Sequence, residues 1–401
     1  MELTKFRYKL RSIISRNLTF LLLFLLIVFY AYHDITKWSI MKFLGAQGPI
    51  LYVDTSTVLY YSRCFENIGV SVFLSGDSCS NWNYGTSILR LLAFLELQTT
   101  DAQLIGRVLT YSLLLIFCVL VYLARGYAVA QVTLFLGLIS PPVWLLMERG
   151  NFDSVIYMLI FLSALIYARG YKVSPILLVS ISSILKFYTL PLLFFILVRS
   201  RGAYIKIFNL IALLVCFVII FRDLQLLDKN NIIQAGNNHF GLKIIGNYIG
   251  KLGIEVNLET QYLISIFLFV VSLVIVYFLV LRSPFTNFVS ANLLVLRFMH
   301  LFCFIVLVSI YLIGLSVDYK LIFVMATVPF LIIHSRRKLQ YLISLLFLMS
   351  VWFTYLTGIF QTVGDFALQL YIAIQLVFVL QITSLKSFIK FALYKRVLNK
   401  I

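Results

Sequence analysis

The chain has 401 residues, 62 % of them apolar and only 12 % charged, an imbalance far outside the range of soluble globular domains. Lys and Arg total 33 against 15 Asp and Glu, leaving a formal charge of +18. The basic residues are scattered in short segments between apolar runs, which speaks against nucleic acid as a partner and for orientation in a lipid bilayer.

Five basic residues, Lys5, Arg7, Lys9, Arg11 and Arg16, precede the apolar stretch "LTFLLLFLLIVFYAY" (18–32). This resembles a signal peptide, but no small-residue cleavage site follows, so it reads as a retained first span with the N-terminus in the cytoplasm. Residues 33–102 then form a first outer loop, within which "TSILRLLAFLEL" (86–97) is amphipathic and is predicted to lie along the membrane surface. Further spans are predicted at roughly 103–124, 127–147, 152–168, 203–221, 262–281, 290–312, 319–334, 340–357 and 366–385. That makes ten crossings, each near the ~20 residues that traverse a ~30 Å hydrocarbon core. A second long outer loop covers 222–261, and the whole of 1–401 reads as one transmembrane domain of an all-α, polytopic helical bundle.

The segment 173–198 does not fit this alternation. It is flanked by basic residues at both ends (Arg169 and Lys172; Arg199, Arg201 and Lys206) and is too short for two crossings. Lys186 lies mid-segment and Pro191 interrupts helical hydrogen bonding, so a broken or re-entrant pair is expected. With the remaining spans alternating, Arg125, Arg282, Arg336, Arg337, Lys338 and the basic residues after 385 fall inside, as do both termini. Apart from Glu2, every acid falls outside: Asp34, Asp54, Glu66, Asp77, Glu96, Asp101, Glu148, Asp153, Asp223, Asp228, Glu255, Glu259, Asp318 and Asp365.

Cys118, Cys216 and Cys303 lie in spans, where a free thiol behaves as a small apolar residue. Cys64 and Cys79 share the first outer loop; they are either two free thiols or a disulfide closing a loop of about 15 residues, worth ~3 kcal/mol in the chain-entropy model. The four histidines (His33, His239, His300, His334) are dispersed, no CxxC occurs, and neither a metal nor a cofactor is expected.

Four outer segments hold the candidate chemistry. They are "LYVDTS" with Asp54, "SGDSCSNWNYG" with Asp77, Asn83 and Tyr84, the turn "ERGNFD" with Glu148, Arg149, Asn151 and Asp153, and "SVDYK" with Tyr319 and Lys320; His239 adds a fifth point in the second loop. Carboxylates, aromatic rings and cations around one outer cavity suit sugar and phosphate. Nucleotide sugars are not expected at that face, so a sugar transferred there comes from a polyprenyl-phosphate donor. Attack on the anomeric carbon needs a carboxylate to take the acceptor's proton and cations to hold the leaving phosphate. Asp54 is the first choice as base, because partial desolvation beside "GPILYV" would raise its pKa, and Asp77 is second. Lys320 is nominated for the phosphate with Arg149 as competitor, and Lys186, costly in an apolar segment, reaches either the phosphate or a carboxylate. Each has a plainer alternative. Taken alone, Asp54 reads first as a solvated loop acid, ERGNFD as a turn in which Glu148 and Asp153 cap helices, and Lys320 as a side chain snorkelling to the interface.

"SPPVWLLMERGNFDSVIYMLIF" followed by "ILKFYTLPLLFFIL" resembles the SP…ERGN-D…LK-YP pattern of bacterial polytopic proteins related to glycosyltransferase family 87, the polyprenyl-phosphate-mannose-dependent mannosyltransferases. "VDTSTVLYYSRCFENIGVSVFLSGDSCSNWNYG" is similar to that group's first outer loop, and "GLSVDYKLIFVMATVPFL" to its G…DYR-LIFL…P segment, so the resemblance spreads from about residue 50 to 330. It implies a GT-C fold in the bacterial plasma membrane, with Asp54 catalytic, Lys320 and Tyr319 at the donor phosphate, and Glu148, Arg149, Asn151 and Asp153 lining the cavity. Two departures are visible: Lys320 stands where Arg is commoner, and Thr189 and Leu190 separate Tyr188 from Pro191. The implied activity is inverting transfer of a hexose, mannose among the candidates, from a polyprenyl-phosphate donor to a lipid or glycan acceptor at the non-cytoplasmic face. The rival readings are a transporter or flippase of lipid-linked sugars, for which Lys186, Arg107 and Arg297 are the only deep charges in view, and a polysaccharide polymerase or ligase.

Overall fold

A computed structural model describes residues 2–36, 51–69, 86–200, 202–226, 239–240, 258–281, 291–313, 316–353 and 359–383. Apart from one short ladder, the described residues are helical: α1 (Glu2–Thr36), α2 (Val53–Ile68), α3 (Thr86–Phe94), α4 (Ala102–Leu123), α5 (Ala128–Leu138), α6 (Pro141–Arg149), α7 (Asp153–Ala168), α8 (Val173–Leu185), α9 (Leu190–Arg199), α10 (Ala203–Leu226), α11 (Leu258–Leu281), α12 (Ala291–Ile313), α13 (Ile322–Met325), α14 (Val328–His334), α15 (Arg337–Trp352) and α16 (Ile359–Thr383). The chain is a helical membrane protein with several spans. Asn17–Asp34, Thr99–Leu123, Ala203–Asp223, Leu293–Leu312 and Phe360–Leu380 are long and apolar enough to cross a bilayer, and the bent pair α5–α6 makes a sixth.

Six is fewer than the ten crossings expected from the apolar runs: among the described residues, 152–168, 262–281, 319–334 and 340–357 do not give apolar helical stretches of span length. The run 127–147 reads as one span, yet Pro141 and Pro142 remove two helical donors, and α5 and α6 meet at a 47° bend across Ile139 and Ser140. The run 319–334 likewise opens with a 3-10 turn (Asp318–Leu321) and is split at Ala326–Thr327, with Pro329 in the first turn of α14. At 1.5 Å per residue the 16-residue α7 spans about 24 Å, short of a ~30 Å core.

Most buried side chains form one continuous core, centred on Trp144, Tyr157, Phe117, Phe302, Phe323, Phe347, Tyr371 and Phe378. Around it the spans turn apolar side chains outward: Phe20, Leu21, Phe24 and Ile27 on α1, and Leu214, Val215, Phe217 and Val218 on α10 are exposed. Surfaces of that kind belong in lipid.

The segment 173–198 is a hairpin of two short helices. Cys216 Sγ of α10 reaches Ser180 O of α8 at 3.7 Å, and Asn209 Nδ2 donates to Leu193 O of α9 at 3.0 Å. One straight helix thus runs beside both arms, whose free ends lie near Lys172 and Arg199 and whose tip is Lys186. The break falls at Lys186, in extended conformation (φ −147°, ψ 111°), followed by a 3-10 turn over Phe187–Thr189. Pro191 sits in the first turn of α9, where its missing donor costs nothing, but it forbids a helix running straight through Phe187.

The first loop builds a separate cap. Val58, Leu59 and Cys64 of α2 pack with Ile88, Leu89 and Leu92 of α3 and with Ala102 as a small second core. Asp223, near the end of α10, holds the start of α3, accepting hydrogen bonds from Thr86 N (2.9 Å) and Thr86 Oγ1 (2.8 Å). Leu91, Phe94 and Leu95 of this amphipathic piece remain exposed. Cys64 is disulfide-bonded, and Cys118, Cys216 and Cys303 are free thiols. Cys79, Asp77, Asn83 and Tyr84 lie outside the described residues. His239 and Phe240 of the second loop form a two-residue antiparallel ladder with Val317 and Ser316, placing that loop's backbone beside the turn that carries Lys320.

Candidate functional site

The site is built where α2 docks on the ERGN turn. α6 ends with Gly150 in left-handed conformation (φ 59°), a position that favours glycine, and its carbonyl accepts the buried Thr55 hydroxyl at 2.5 Å. Tyr52, just before α2, is itself left-handed (φ 60°), a costly choice for a bulky residue. Its N–H donates to Glu148 O at 2.6 Å, and its ring lies so close to Gly106 of α4 that any side chain there would collide with it. These contacts place Asp54, in the first turn of α2, directly against the turn between α6 and α7.

Asp54 is held by two neighbours. Arg149 donates to Oδ1 through Nε (2.8 Å) and Nη2 (2.5 Å), and Asn151 Nδ2 donates to Oδ2 at 2.5 Å. The Asp54 side chain keeps 15 % exposure, so it still faces an opening. Asn151 joins it to the next acid, because its Oδ1 accepts the N–H of Asp153 at 2.8 Å and so caps the start of α7. Asp153 is sealed from solvent. Its Oδ1 accepts Lys186 Nζ at 2.8 Å and the Tyr188 hydroxyl, which joins the hairpin tip to the head of α7, while Oδ2 has no hydrogen-bond partner among the described residues. Lys320 Nζ stands over the Tyr188 ring, 5.5 Å from its centre. The sequence Asp54, Arg149 and Asn151, Asp153, Lys186 and Tyr188, Lys320 is therefore one connected set with three cations and two carboxylates.

Lys320 is the member with no carboxylate partner among the described residues. It belongs to the 3-10 turn ahead of α13, outside the spans. Loss of solvent around its ammonium, offset by Asp153 and deepened by Lys186, pushes its pKa down to about 8. No family model matches this chain, and no curated protein or solved structure proves similar to it.

The remaining candidates divide. Glu148 is fully buried and meets His33 of α1, Oε1 to Nε2 at 3.4 Å, with the Trp144 ring 4.7 Å from the imidazole. It shares the ERGN backbone but not the Asp54 network. Tyr319 is placed beside Lys320 by the backbone, and His239 by the ladder; the side chains of both lie outside the described residues. Capping falls to Asn151, not to Glu148 or Asp153. Of the deep charges, Lys186 pairs with Asp153 and Arg107 lies 3.8 Å from Asp34, whose other oxygen accepts the Tyr111 hydroxyl at 2.8 Å. Thr55, Tyr52, Tyr188 and His33 contribute to the site or its frame without having been singled out. Only Tyr188 carried a sequence signal, as the tyrosine of the "LKFY" stretch. Among the described residues no three His, Cys, Asp or Glu side chains are grouped as metal ligands.

Proposed function

We propose that the chain is a membrane glycosyltransferase of GT-C type that moves a hexose, with mannose a candidate, from a polyprenyl-phosphate donor to a lipid or glycan acceptor at the non-cytoplasmic face of a bacterial plasma membrane. The observation that carries this reading is the connected set from Asp54 to Lys320, in which cations outnumber carboxylates by one at the same end of the helices. Such a set suits a ligand that brings one phosphate charge together with sugar hydroxyls. The similarity of the ERGN, LKFY and VDYK stretches to the mannosyltransferase pattern supports it, since those are the stretches that meet in space.

In this reading the phosphate leaves toward Lys320, which alone among the cations of the set makes no ion pair among the described residues, while Lys186 and Arg149 act through their acids. Lys186 and Tyr188 hold Asp153, and Arg149 and Asn151 fix the direction of Asp54. The acceptor hydroxyl approaches Asp54 from its open side, its proton passes to the carboxylate, its oxygen bonds to the anomeric carbon, and the C–O bond to phosphate breaks with inversion. The ten-crossing arrangement belongs to the same proposal, with α7 and the α13–α14 pair crossing a locally thinned or protein-filled layer.

The test supplies radiolabelled polyprenyl-phosphate hexoses to membranes containing the native chain or Asp54→Asn. Loss of a positioned base removes about 10²-fold or more of the rate. Unchanged transfer in Asp54→Asn at equal protein level discards the assignment. A transporter reading draws on a different observation: the His300, Thr327, Tyr371 and Gln375 network buried among α12, α13, α14 and α16, in which Thr327 Oγ1 meets Tyr371 Oη at 2.9 Å and Gln375 Nε2 at 3.1 Å. Movement of a lipid-linked sugar across sealed vesicles without glycosidic transfer would favour it.

A further inference from the structure

A second group of polar side chains lies apart from the Asp54–Lys320 set, where α11, α12 and α16 meet. α11 turns Leu263, Ile266, Phe267, Val270 and Val274 outward, but buries Ser265 and Ser272, two turns apart on one face. α16 buries Gln361, Asp365 and Gln369 at four-residue spacing. Gln369 Nε2 donates to Ser272 Oγ at 3.0 Å. Tyr311, near the end of α12, packs its ring 6.0 Å from Phe269, one turn from Ser272, and interacts electrostatically with Asp365. The residues therefore line one seam of the bundle, extending about 10 Å along α11.

Three of them are left with unmet capacity. Ser265 Oγ, Tyr311 Oη and Gln369 Oε1 are buried and have no hydrogen-bond partner among the described residues. The serines nearby behave otherwise: Ser272 and Ser309 donate to carbonyls four residues back, Leu268 O and Ile305 O. Because Ser272 already holds the Gln369 amide nitrogen, the amide oxygen is the atom left over. A buried polar atom without a partner is expensive, and three in one group mark a place built around something that bonds to them.

We infer that this group binds the hydroxyl-rich, uncharged head group of a lipid-linked sugar. The two hydroxyls can donate and accept and the amide oxygen and carboxylate accept, the mixture that sugar hydroxyls match. Among the described residues no Lys or Arg belongs to the group, which therefore suits neutral hydroxyls better than a phosphate, and its one carboxylate is a poor cage for a divalent cation. Beside it α11 has an apolar outer face, so the ligand's hydrocarbon chain lies along that helix. Tyr311 precedes Lys320 by nine residues, at the same end of the helices. A role as the acceptor subsite rests on the glycosyl-transfer reading; the binding itself does not.

The probe is a radiolabelled alkyl glucoside with a photoreactive diazirine in its chain, applied to the full chain in lipid nanodiscs, with an equivalent alkyl phosphocholine in parallel. The expected result is saturable labelling of peptides from 258–281 and 359–383 by the glucoside, displaced by unlabelled glucoside and not by phosphocholine. Gln369→Leu and Tyr311→Phe each reduce that labelling about tenfold. Tyr311→Phe removes a single oxygen from a site it does not otherwise fill, so it decides the matter if Gln369→Leu alters the fold. Labelling that is unchanged in Tyr311→Phe, or displaced equally by phosphocholine, overturns the inference and leaves the group as a water-filled pocket. Loss of label transfer in Asp54→Asn with glucoside labelling intact, or the reverse, separates this site from the proposed reaction.

Discussion

At the scale of single residues, the site departs from the lone desolvated acid that an outer-loop aspartate suggests. Asp54 is an ion-paired carboxylate whose direction is set by Arg149 and Asn151. Arg149→Lys keeps the charge but loses the second hydrogen bond to Oδ1, and a charge-assisted bond is worth about 1.5–3 kcal/mol, so transfer should fall by roughly tenfold or more in the radiolabel assay. Lys320 makes a pH prediction. With its pKa lowered to about 8, it carries its proton at neutral pH and loses it as pH rises through that value. Transfer should therefore hold steady around pH 7 and decline above 8, whereas Lys320→Arg, which stays charged, should shift the decline to higher pH; an identical alkaline limb in both profiles contradicts the assignment. Asp54, the ERGN turn and Lys320 were readable because charges are conspicuous in apolar sequence. Thr55 and Tyr52 were not, since their contribution is a hydrogen bond to a backbone carbonyl some 95 residues away, which no local pattern encodes.

At the scale of elements, two short segments decide whether the site forms. Gly150 ends α6 in a conformation that costs an L-residue about 1–2 kcal/mol, and a side chain there would also press on Thr55 Oγ1. Gly150→Ala should lower Tm and abolish transfer together, measured on the same purified sample. The hairpin tip makes the second case. Lys186 and Asp153 are buried, so removing one partner strands the other charge at a cost of about 3–5 kcal/mol. Lys186→Met and Asp153→Asn should each be severely destabilised, and the double variant should recover part of the loss; equal Tm values in singles and double would show that the pair is not coupled. The hairpin was legible in the basic residues at both ends of 173–198, and its break close to Pro191 follows from proline chemistry. The bend between α5 and α6 was not, because "SPPVW" lies inside an unbroken apolar run whose hydropathy hides the missing donors.

At the scale of the whole molecule, composition alone identified a helical membrane protein, and apolar surfaces on α1 and α10 agree with it. Six spans show among the described residues against ten apolar runs, because hydropathy measures the length of an apolar run, whereas prolines and turns help decide how much of it is one straight helix. Sidedness is open to a direct experiment. In a background lacking Cys118, Cys216 and Cys303, an impermeant maleimide added outside intact cells should modify Glu96→Cys, next to α3, and leave Gly202→Cys, before α10, untouched. Modification of both positions contradicts the orientation.

The Val173–Arg199 hairpin also bears on how the chain is threaded. Its two arms lie beside one straight helix and turn at Lys186, so in the proposed arrangement the hairpin leaves the heading of every later helix as it would be without it. A change to the lysine or tyrosine at its tip therefore acts locally, through the buried Asp153, without inverting anything downstream. Such a finger can carry chemistry while the rest of the architecture keeps its parity.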